Sequence, residues 1–265
     1  MESNTGLQLS SQALKIEEFN FFPIICTYQY QIPNMSHSHL DKIEPLSIDC
    51  VVFGFEAESH DLKILLIKRA IEPNFGSWAL PGGFILYSEG IDEASNRILN
   101  EMTGIENLYL KQLRAFGEVN RYPERRVITL SYYALVKPGN YTLTPGDDAS
   151  DAEWFLLSES PELPFDHQEI LNEAIYTLRR EVRNRPIGFE LLPEKFTLLQ
   201  LQKLYEAILG IELDKSNFRR KIQRMNLLVK LDEWEENVAH RAARLFKFDK
   251  DIYDDLQNKG LIFDV

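Results

Sequence analysis

One stretch of the chain constrains its structure more than any other, because glycines and charged residues follow a fixed spacing in it. Gly83 closes a strand-to-loop segment, Glu89 follows after five intervening residues, and Arg97 follows after seven more. Residues 88–103 contain no proline and a single glycine, and Gly104 stands where a helix C-cap is expected. The spacing therefore predicts a strand, a loop and a helix in that order.

This spacing resembles the Nudix box, in which a glycine, five residues, a glutamate and seven residues precede Arg-Glu-aliphatic-x-Glu-Glu-x-Gly-aliphatic. Glu101, Gly104 and Ile105 continue the pattern here without an insertion. The resemblance implies a Nudix α/β/α sandwich. In active Nudix hydrolases, three helical glutamates at i, i+3 and i+4 face one way and hold Mg²⁺ against a diphosphate. Those positions are here Ile98, Glu101 and Met102.

Two of these three positions lack the oxygen donors that Mg²⁺ requires. Because neither Ile98 nor Met102 can replace a carboxylate in near-octahedral coordination, we predict no catalytic residues, no metal, no cofactor and no pyrophosphohydrolase activity. The remaining charged residues, Glu89, Arg97 and Glu101, are expected to form a salt-bridge network that holds the loop. The site that is left suits binding without cleavage. A Mg²⁺-dependent hydrolase of ADP-ribose or a sugar nucleotide is the alternative.

Several residues close to the box in the linear order are candidate ligand contacts. Arg69 ends a strand that leads to the box, a charged loop spans residues 117–125, and His167 opens a helix. Asp166 can cap this helix or contact the ligand, and a histidine in a first turn is more often at the surface. The candidate ligand-binding residues are Arg69, Gly83, Glu118, Arg121 and His167.

Strand-like and helical patterns alternate around the box. Aliphatic and β-branched runs over 47–55 and 62–68, separated by a polar turn, predict a hairpin. Further strands are predicted over 129–136 and 152–157, and an amphipathic helix over 166–184. Strands and helices in this order indicate an α+β fold with sandwiched layers.

The charge of the chain is unevenly distributed. Its net charge of -12 argues against binding nucleic acid over the whole surface. However, residues 1–188 carry 16 Lys and Arg against 27 Asp and Glu, whereas residues 189–265 carry 13 against 14. Proline and glycine interrupt helical patterning just before this change, which predicts a linker near Pro186. We expect a flexible N-terminal arm at 1–46, a ligand-binding domain at 47–185 and a DNA-binding domain at 186–265.

Two helices joined by a short glycine-containing turn are predicted in the last domain, the first over 196–209. The second buries Phe218, Ile222 and Met225 on one face, while residues 215–230 contain six Lys and Arg and no acidic residue. This pattern is typical of a helix-turn-helix that enters the major groove, although a solvated helix face is the simpler alternative. The candidate DNA-binding residues are Lys215, Ser216, Asn217, Arg219, Arg220, Gln223, Arg224, Arg241 and Arg244.

Two short strands over 227–231 and 245–248 follow, with a loop between them whose tip lies near Arg241, and predict a winged helix. A degenerate Nudix box followed by a winged helix resembles the NrtR family of Nudix-related transcriptional regulators. The stretch 186–208 is similar to the arabinose-responsive AraR branch of Bacteroides-type bacteria. The resemblance implies homodimers on palindromic double-stranded operator DNA. It also implies an effector in the Nudix pocket that weakens DNA binding, either an ADP-ribose-like metabolite or a pentose such as L-arabinose.

The overall composition excludes other classes of protein. With 44% hydrophobic and 26% charged residues the chain can bury a core, and its two cysteines, Cys26 and Cys50, cannot form a disulfide framework. No segment looks long and apolar enough for a membrane span, and no convincing signal peptide is present, so we expect a cytoplasmic location. Met35, upstream of the first confident strand, is a candidate translation start. A protein-interaction module is a third alternative for the function.

Overall fold

The computed structural model describes residues 42–236 and 241–258. Seven strands form one mixed sheet: β1 Lys42–Glu56, β2 Asp61–Arg69, β3 Trp78–Ala79, β4 Gly82–Leu86, β5 Lys111–Phe116, β6 Ile128–Val136 and β7 Ala149–Leu156. The long β1 pairs in antiparallel with β2 and β4 and in parallel with β6. β5 flanks β6, while β3 and β7 both pair with β2. β1 is therefore the strand on which the sheet is built.

β1 separates two hydrophobic cores, because alternate residues of a strand point to opposite faces of the sheet. Phe53 and Phe55 belong to one core, and Cys50 and Val52 belong to the other. The helix α1, Ile91–Thr103, packs on the second core, and α2, His167–Asn184, packs on the first. Helices on both faces give the α/β/α sandwich that the sequence predicts.

α1 ends at the glycine that the sequence predicts as its C-cap. Gly104 has a φ of 79° and donates its N–H to the Asn100 carbonyl at 2.7 Å. A Cβ at this position would lie 1.9 Å from the Thr144 hydroxyl oxygen, so only glycine fits here. The helix begins later than residue 88, because the Glu93 carboxylate accepts the Gly90 N–H at 2.9 Å and fixes the first turn there.

The second domain has the element order of a winged helix: α3 Leu198–Leu209, α4 Lys215–Arg224, β8 Leu228–Trp234, β9 Arg244–Phe248 and α5 Lys250–Asn258. α3 begins after Thr197, whose hydroxyl accepts the Gln200 N–H while the Gln200 side chain accepts the Thr197 N–H. α4 begins after Asp214, whose carboxylate accepts the Asn217 N–H at 2.8 Å. Both helices lie where the sequence predicts them, whereas α5 was not predicted.

The two domains share a hydrophobic core. The core that contains Leu178 of α2 continues into Leu201 of α3. The junction expected near Pro186 is a helical turn, Ile187–Leu191, in which Phe189 is buried. This segment follows the end of the preceding helix, and its apolar side chains pack into the shared core.

Two further boundaries differ from the sequence prediction. β1 begins at Lys42, which pairs with Leu86, so the last residues of the predicted arm 1–46 form a strand. Residues 1–41, including Met35, lie outside the described ranges. β8 extends to Trp234, beyond the predicted strand end, and residues 237–240 of the wing loop are not described. In the described part of the chain, no helix combines the length and hydropathy of a membrane span.

Candidate ligand pocket and DNA-binding face

A cavity of about 430 Å³ lies beside α1, within the size range of small-molecule sites. Four of the five predicted ligand residues, Arg69, Gly83, Arg121 and His167, line it. Glu118 does not, which corrects its prediction as a lining residue. Its side chain is exposed, and its backbone carbonyl accepts a hydrogen bond from Arg126 Nη1 at 2.7 Å. The loop thus leaves this side chain exposed to solvent.

Arg97 of α1 holds the loop between β4 and α1, called the Nudix loop below, against the helix. Its Nε and Nη2 donate to the two oxygens of Glu89 at 2.7 and 2.6 Å, and its Nη1 donates to Glu101 Oε2 at 2.7 Å. Nη2 also donates to the Phe84 carbonyl, and Glu89 accepts the Leu86 N–H at 2.8 Å. The hydrogen bonds from Arg97 lower the pKa of Glu89. The predicted salt-bridge network is confirmed.

The positions of the two missing glutamates form an apolar part of the cavity wall. Ile98 and Met102 are 1% and 7% exposed, and Ile98 packs so closely on Gly83 that a Cβ there would lie 3.3 Å from Ile98 Cγ1. Glu101 of α1 also lines the cavity, whereas Asp92 accepts from a tyrosine hydroxyl and Glu93 accepts a backbone N–H. Among the described residues, no group of three His, Cys, Asp or Glu is placed to hold a metal ion.

A buried ion cluster contributes Asp49, Arg121 and His167 to the cavity wall. Arg121 Nε and Nη2 each donate to Asp166 at 2.7 Å, and Nη2 also donates to Asp49 at 3.0 Å. The Arg121 side chain is only 3% exposed. Burial by itself raises the pKa of Asp49, but the neighbouring His167 and Arg121 lower it to about 2. The cluster therefore keeps Asp49 ionised.

His167 and Asp166 have roles that differ from those expected of a helix start. His167 is buried rather than at the surface, its Nδ1 accepts the Leu80 N–H at 3.1 Å, and its Nε2 lies 3.5 Å from Asp49. Asp166 occupies the N-cap position, but its side chain makes no capping hydrogen bond. Its two oxygens instead accept from Arg121 in a bidentate charged pair.

Aromatic rings and arginines form another part of the wall, and sequence analysis missed the aromatic residues. Tyr122 and Phe165 stack with centroids 5.3 Å apart, and Phe84 packs edge-on against Tyr122 at 6.4 Å. The Arg69 and Arg125 guanidinium groups lie 5.2 and 4.6 Å from the Phe165 and Phe84 rings. Tyr122 lies in the charged loop 117–125 between Arg121 and Arg125, so an aromatic residue among arginines was the available signal.

The helix α4 presents a cationic face to solvent. Phe218 and Ile222 are buried, as predicted, while Arg219 is half-buried with an Nε that has no hydrogen-bond partner in the described structure. Arg220 donates to the Asn217 side-chain oxygen. The predicted DNA-binding residues of this helix that are exposed are Lys215, Ser216, Asn217, Arg220, Gln223 and Arg224. Amide and guanidinium groups together suit contacts with both base edges and phosphates.

The two predicted DNA-binding residues of the wing differ in their environment. Arg241 is exposed next to the part of the loop that is not described. Arg244 lies 4.8 Å from the centre of the Trp234 ring, and its Nη1 lies 3.8 Å from Asp232. Arg244 is thus held inside the wing by an aromatic ring and a carboxylate.

Together these features define a class of protein, in which a Nudix-type ligand-binding sandwich is packed on a winged-helix DNA-binding domain. The family model of the NUDIX domain matches residues 44–178 of the sequence. The family model of the NrtR DNA-binding winged helix domain matches residues 188–248. The ADPR responsive transcriptional repressor NtrR of Acinetobacter baylyi is 32% identical over 213 residues, which cover 79% of this chain and 84% of the relative. The chain belongs to the NrtR family of transcriptional regulators.

Two further comparisons cover the whole architecture and the Nudix domain. The crystal structure of Shewanella oneidensis NrtR complexed with a 27mer DNA superposes with a TM-score of 0.65 at 27% identity, covering 80% of this chain and 96% of that chain. The ADP-ribose pyrophosphatase of Methanocaldococcus jannaschii is 40% identical over 113 residues, or 43% of this chain and 66% of that enzyme. The Nudix domain is thus similar to both a regulator and a hydrolase.

Proposed function

We propose that this protein is an ADP-ribose-responsive repressor that binds its effector in the Nudix cavity without cleaving it. The observation that carries the proposal is the combination, in one cavity, of an apolar surface at Ile98 and Met102 with a cationic and aromatic wall around Arg69 and Tyr122. The relative from Acinetobacter baylyi is named as an ADPR responsive repressor, which supports the same effector and the same sign of regulation.

The cavity wall has the chemistry that a nucleoside diphosphate needs. Arg69 and Arg125 can neutralise a diphosphate, and the flat faces of Phe84, Tyr122 and Phe165 can accept a base or a ribose. A pentose, the effector suggested by the AraR-like stretch, offers neither charge nor an aromatic face to this wall. We propose that the ligand contacts include Arg69, Gly83, Arg121 and His167.

The Nudix box of this chain is proposed to be catalytically degenerate. Hydrolysis in this class needs oxygen ligands that hold Mg²⁺ against the diphosphate, and Ile98 and Met102 supply none. The rival function is a Mg²⁺-dependent ADP-ribose hydrolase, which the similarity to the Methanocaldococcus jannaschii enzyme favours. Incubation with Mg²⁺ and ADP-ribose separates the two, since turnover that is lost in Glu101→Gln would establish the hydrolase.

The exposed face of α4 is proposed to enter the major groove. A homodimer would place two such helices on the half-sites of a palindromic operator in the cytoplasm. Arg219, Arg241 and Arg244 complete the proposed contact set, although Arg219 is half-buried and Arg244 lies over the Trp234 ring. Binding of the effector would favour a dimer in which the two helices are wrongly spaced, and so release the DNA.

Two measurements test this function. In a thermal-shift series, ADP-ribose should raise the melting temperature because it binds the native state, whereas L-arabinose should not. In a mobility-shift assay, the full chain should retard a duplex that it has itself enriched from a random-sequence pool, and ADP-ribose should reduce the retardation. A shift with L-arabinose alone would replace the effector with a pentose, and failure to enrich any duplex would leave a protein-interaction module as the better interpretation.

A further inference from the structure

α2 touches the ligand cavity at one end and the helix-turn-helix at the other. It begins at His167, whose side chain lines the cavity. Its second half packs on the winged-helix core through residues such as Leu178 and Val182. A single helix therefore contacts both the site where the effector is proposed to bind and the domain that is proposed to bind DNA.

At the cavity end, α2 is attached through the Arg121–Asp166 pair. Arg121 uses Nε and Nη2 for its bonds to Asp166 and Asp49, and its Nη1 makes no hydrogen bond within the described part of the chain. Because Arg121 also lines the cavity, Nη1 is the donor that it can offer to a ligand oxygen. A ligand anion that accepts from Nη1 therefore shares one guanidinium with Asp166, the residue that precedes the helix.

Between its ends α2 is a continuous helix of 18 residues. Its buried side chains, which include Ile170, Leu171 and Ala174, fix it along the sheet. Arg179 lies twelve positions after His167, which is about 18 Å of helix at 1.5 Å per residue. A displacement of the first turn is therefore carried to the second half, because a packed helix moves as a unit.

At the other end, α2 is attached to the turn that precedes the recognition helix. Arg179 Nε donates to the Ile208 carbonyl at 3.0 Å, in the last turn of α3. Its Nη2 lies against Gly210, where an added Cβ would be 2.7 Å away. Glu206 of α3 accepts the Leu213 N–H at 3.1 Å, so the turn is tied to the same helix end. Arg179 thus contacts the segment that sets the position of α4.

We propose that α2 is the element that couples the cavity to the recognition helix, with Asp166 and Arg179 as its two positioning residues. This inference rests on the proposed function. Neither residue lines the cavity, and neither lies on the exposed face of α4. Their replacement should therefore change the coupling between the two sites more than binding at either site.

The test measures the coupling factor, which is the ratio of the operator dissociation constants with and without saturating ADP-ribose. By linkage, the same factor relates the ADP-ribose dissociation constants of the DNA-bound and free protein, so both are measured. The variants are Asp166→Asn and Arg179→Gln in the full chain. Their matched controls lie on the same helix. Glu169→Gln removes an exposed carboxylate that pairs with Arg114 of β5, and Arg180→Gln removes a guanidinium that lies over the Tyr176 ring.

We expect the coupling factor to fall by about fivefold or more in each test variant, within the usual range of such factors, and to change less than about twofold in each control. Thermal melting shows whether each variant is folded, and Arg179→Gln keeps the inference testable if Asp166→Asn is not. If the coupling factor is unchanged in Arg179→Gln and in a folded Asp166→Asn, the inference is overturned and the proposed function still stands. A wild-type protein in which ADP-ribose has no effect on DNA binding overturns both the inference and the proposed function.

Discussion

The cavity and the recognition helix use the same side chain, arginine, in opposite environments. In the cavity, Arg121 is 3% exposed and holds two carboxylates, and Arg97 holds two more around the Nudix loop. On α4, Arg220 and Arg224 are exposed to solvent. The first set is fixed before a ligand arrives, whereas the second keeps its hydration until DNA displaces it.

This contrast separates two kinds of electrostatic contribution. A buried ion pair adds little net stability when complete, but removal of one partner is costly because it leaves an uncompensated buried charge. Exposed charges add little to folding, but they bind phosphates with a strong dependence on salt. Changes at the cavity should therefore appear as losses of stability, and changes on α4 as losses of DNA affinity.

The largest effect is expected for Arg121→Met. Without the guanidinium, Asp49 and Asp166 share a buried space with no arginine between them, and the free energy of unfolding should fall by about 3–5 kcal/mol. Urea denaturation of the full chain measures this. The control is Arg114→Met, which breaks ion pairs of a half-exposed arginine with Glu169 and Glu173 and should cost less than about 1 kcal/mol. Equal losses in the two variants would remove the distinction between the two environments.

The double variant Arg220→Ala, Arg224→Ala should lose operator affinity by about a hundredfold while its unfolding curve stays unchanged. Replacing an exposed arginine costs about 1–3 kcal/mol of binding free energy if it contacts a base. If it contacts a phosphate, the replacement reduces the salt dependence of binding by about one unit of slope. Fluorescence anisotropy at several salt concentrations distinguishes these contributions. Arg183→Ala, an exposed arginine of α2, is the control. Full affinity in the double variant would exclude this face of α4 as the DNA contact.

The sequence predicts the features of α4 and of the Nudix box better than it predicts the cavity wall. The amphipathic pattern of α4 and the Nudix spacing are local, so the sequence correctly predicts the α4 helix, Gly104 and the Glu89–Arg97–Glu101 network. The cavity wall depends on residues far apart in the chain. Arg121 meets Asp166 across 45 residues, and Leu80 meets His167 across 87. Local periodicity carries no information about such pairs, which is why the sequence predicts neither the Arg121–Asp166 pair nor the burial of His167.

The pH dependence of stability should reflect the ionisation of Asp49. Its pKa is lowered from 3.8 to about 2 in the folded protein. A folded-state pKa below the unfolded value adds stability above pH 3.8 that is lost as the pH falls towards 2, and a shift of this size corresponds to about 2 kcal/mol. Over this range, the unfolding free energy of the wild type should fall more steeply than that of Asp49→Asn. Parallel pH profiles, measured by urea denaturation, would show that Asp49 is not held ionised by its neighbours.

The smallest effect is expected in the core beneath α4, where a polar group is buried without a partner. Tyr205 is fully buried, and its hydroxyl has no hydrogen-bond partner in the described structure. Tyr205→Phe should therefore raise the free energy of unfolding by about 1 kcal/mol, because it removes the desolvation penalty of that hydroxyl. The matched variant is Tyr133→Phe, which deletes a hydroxyl that donates to Glu181 at 2.6 Å and should lower stability. If both variants are destabilised alike, then the Tyr205 hydroxyl has a hydrogen-bond partner in solution. The buried polar groups of the winged-helix core would then be hydrogen-bonded, as those around Arg121 are.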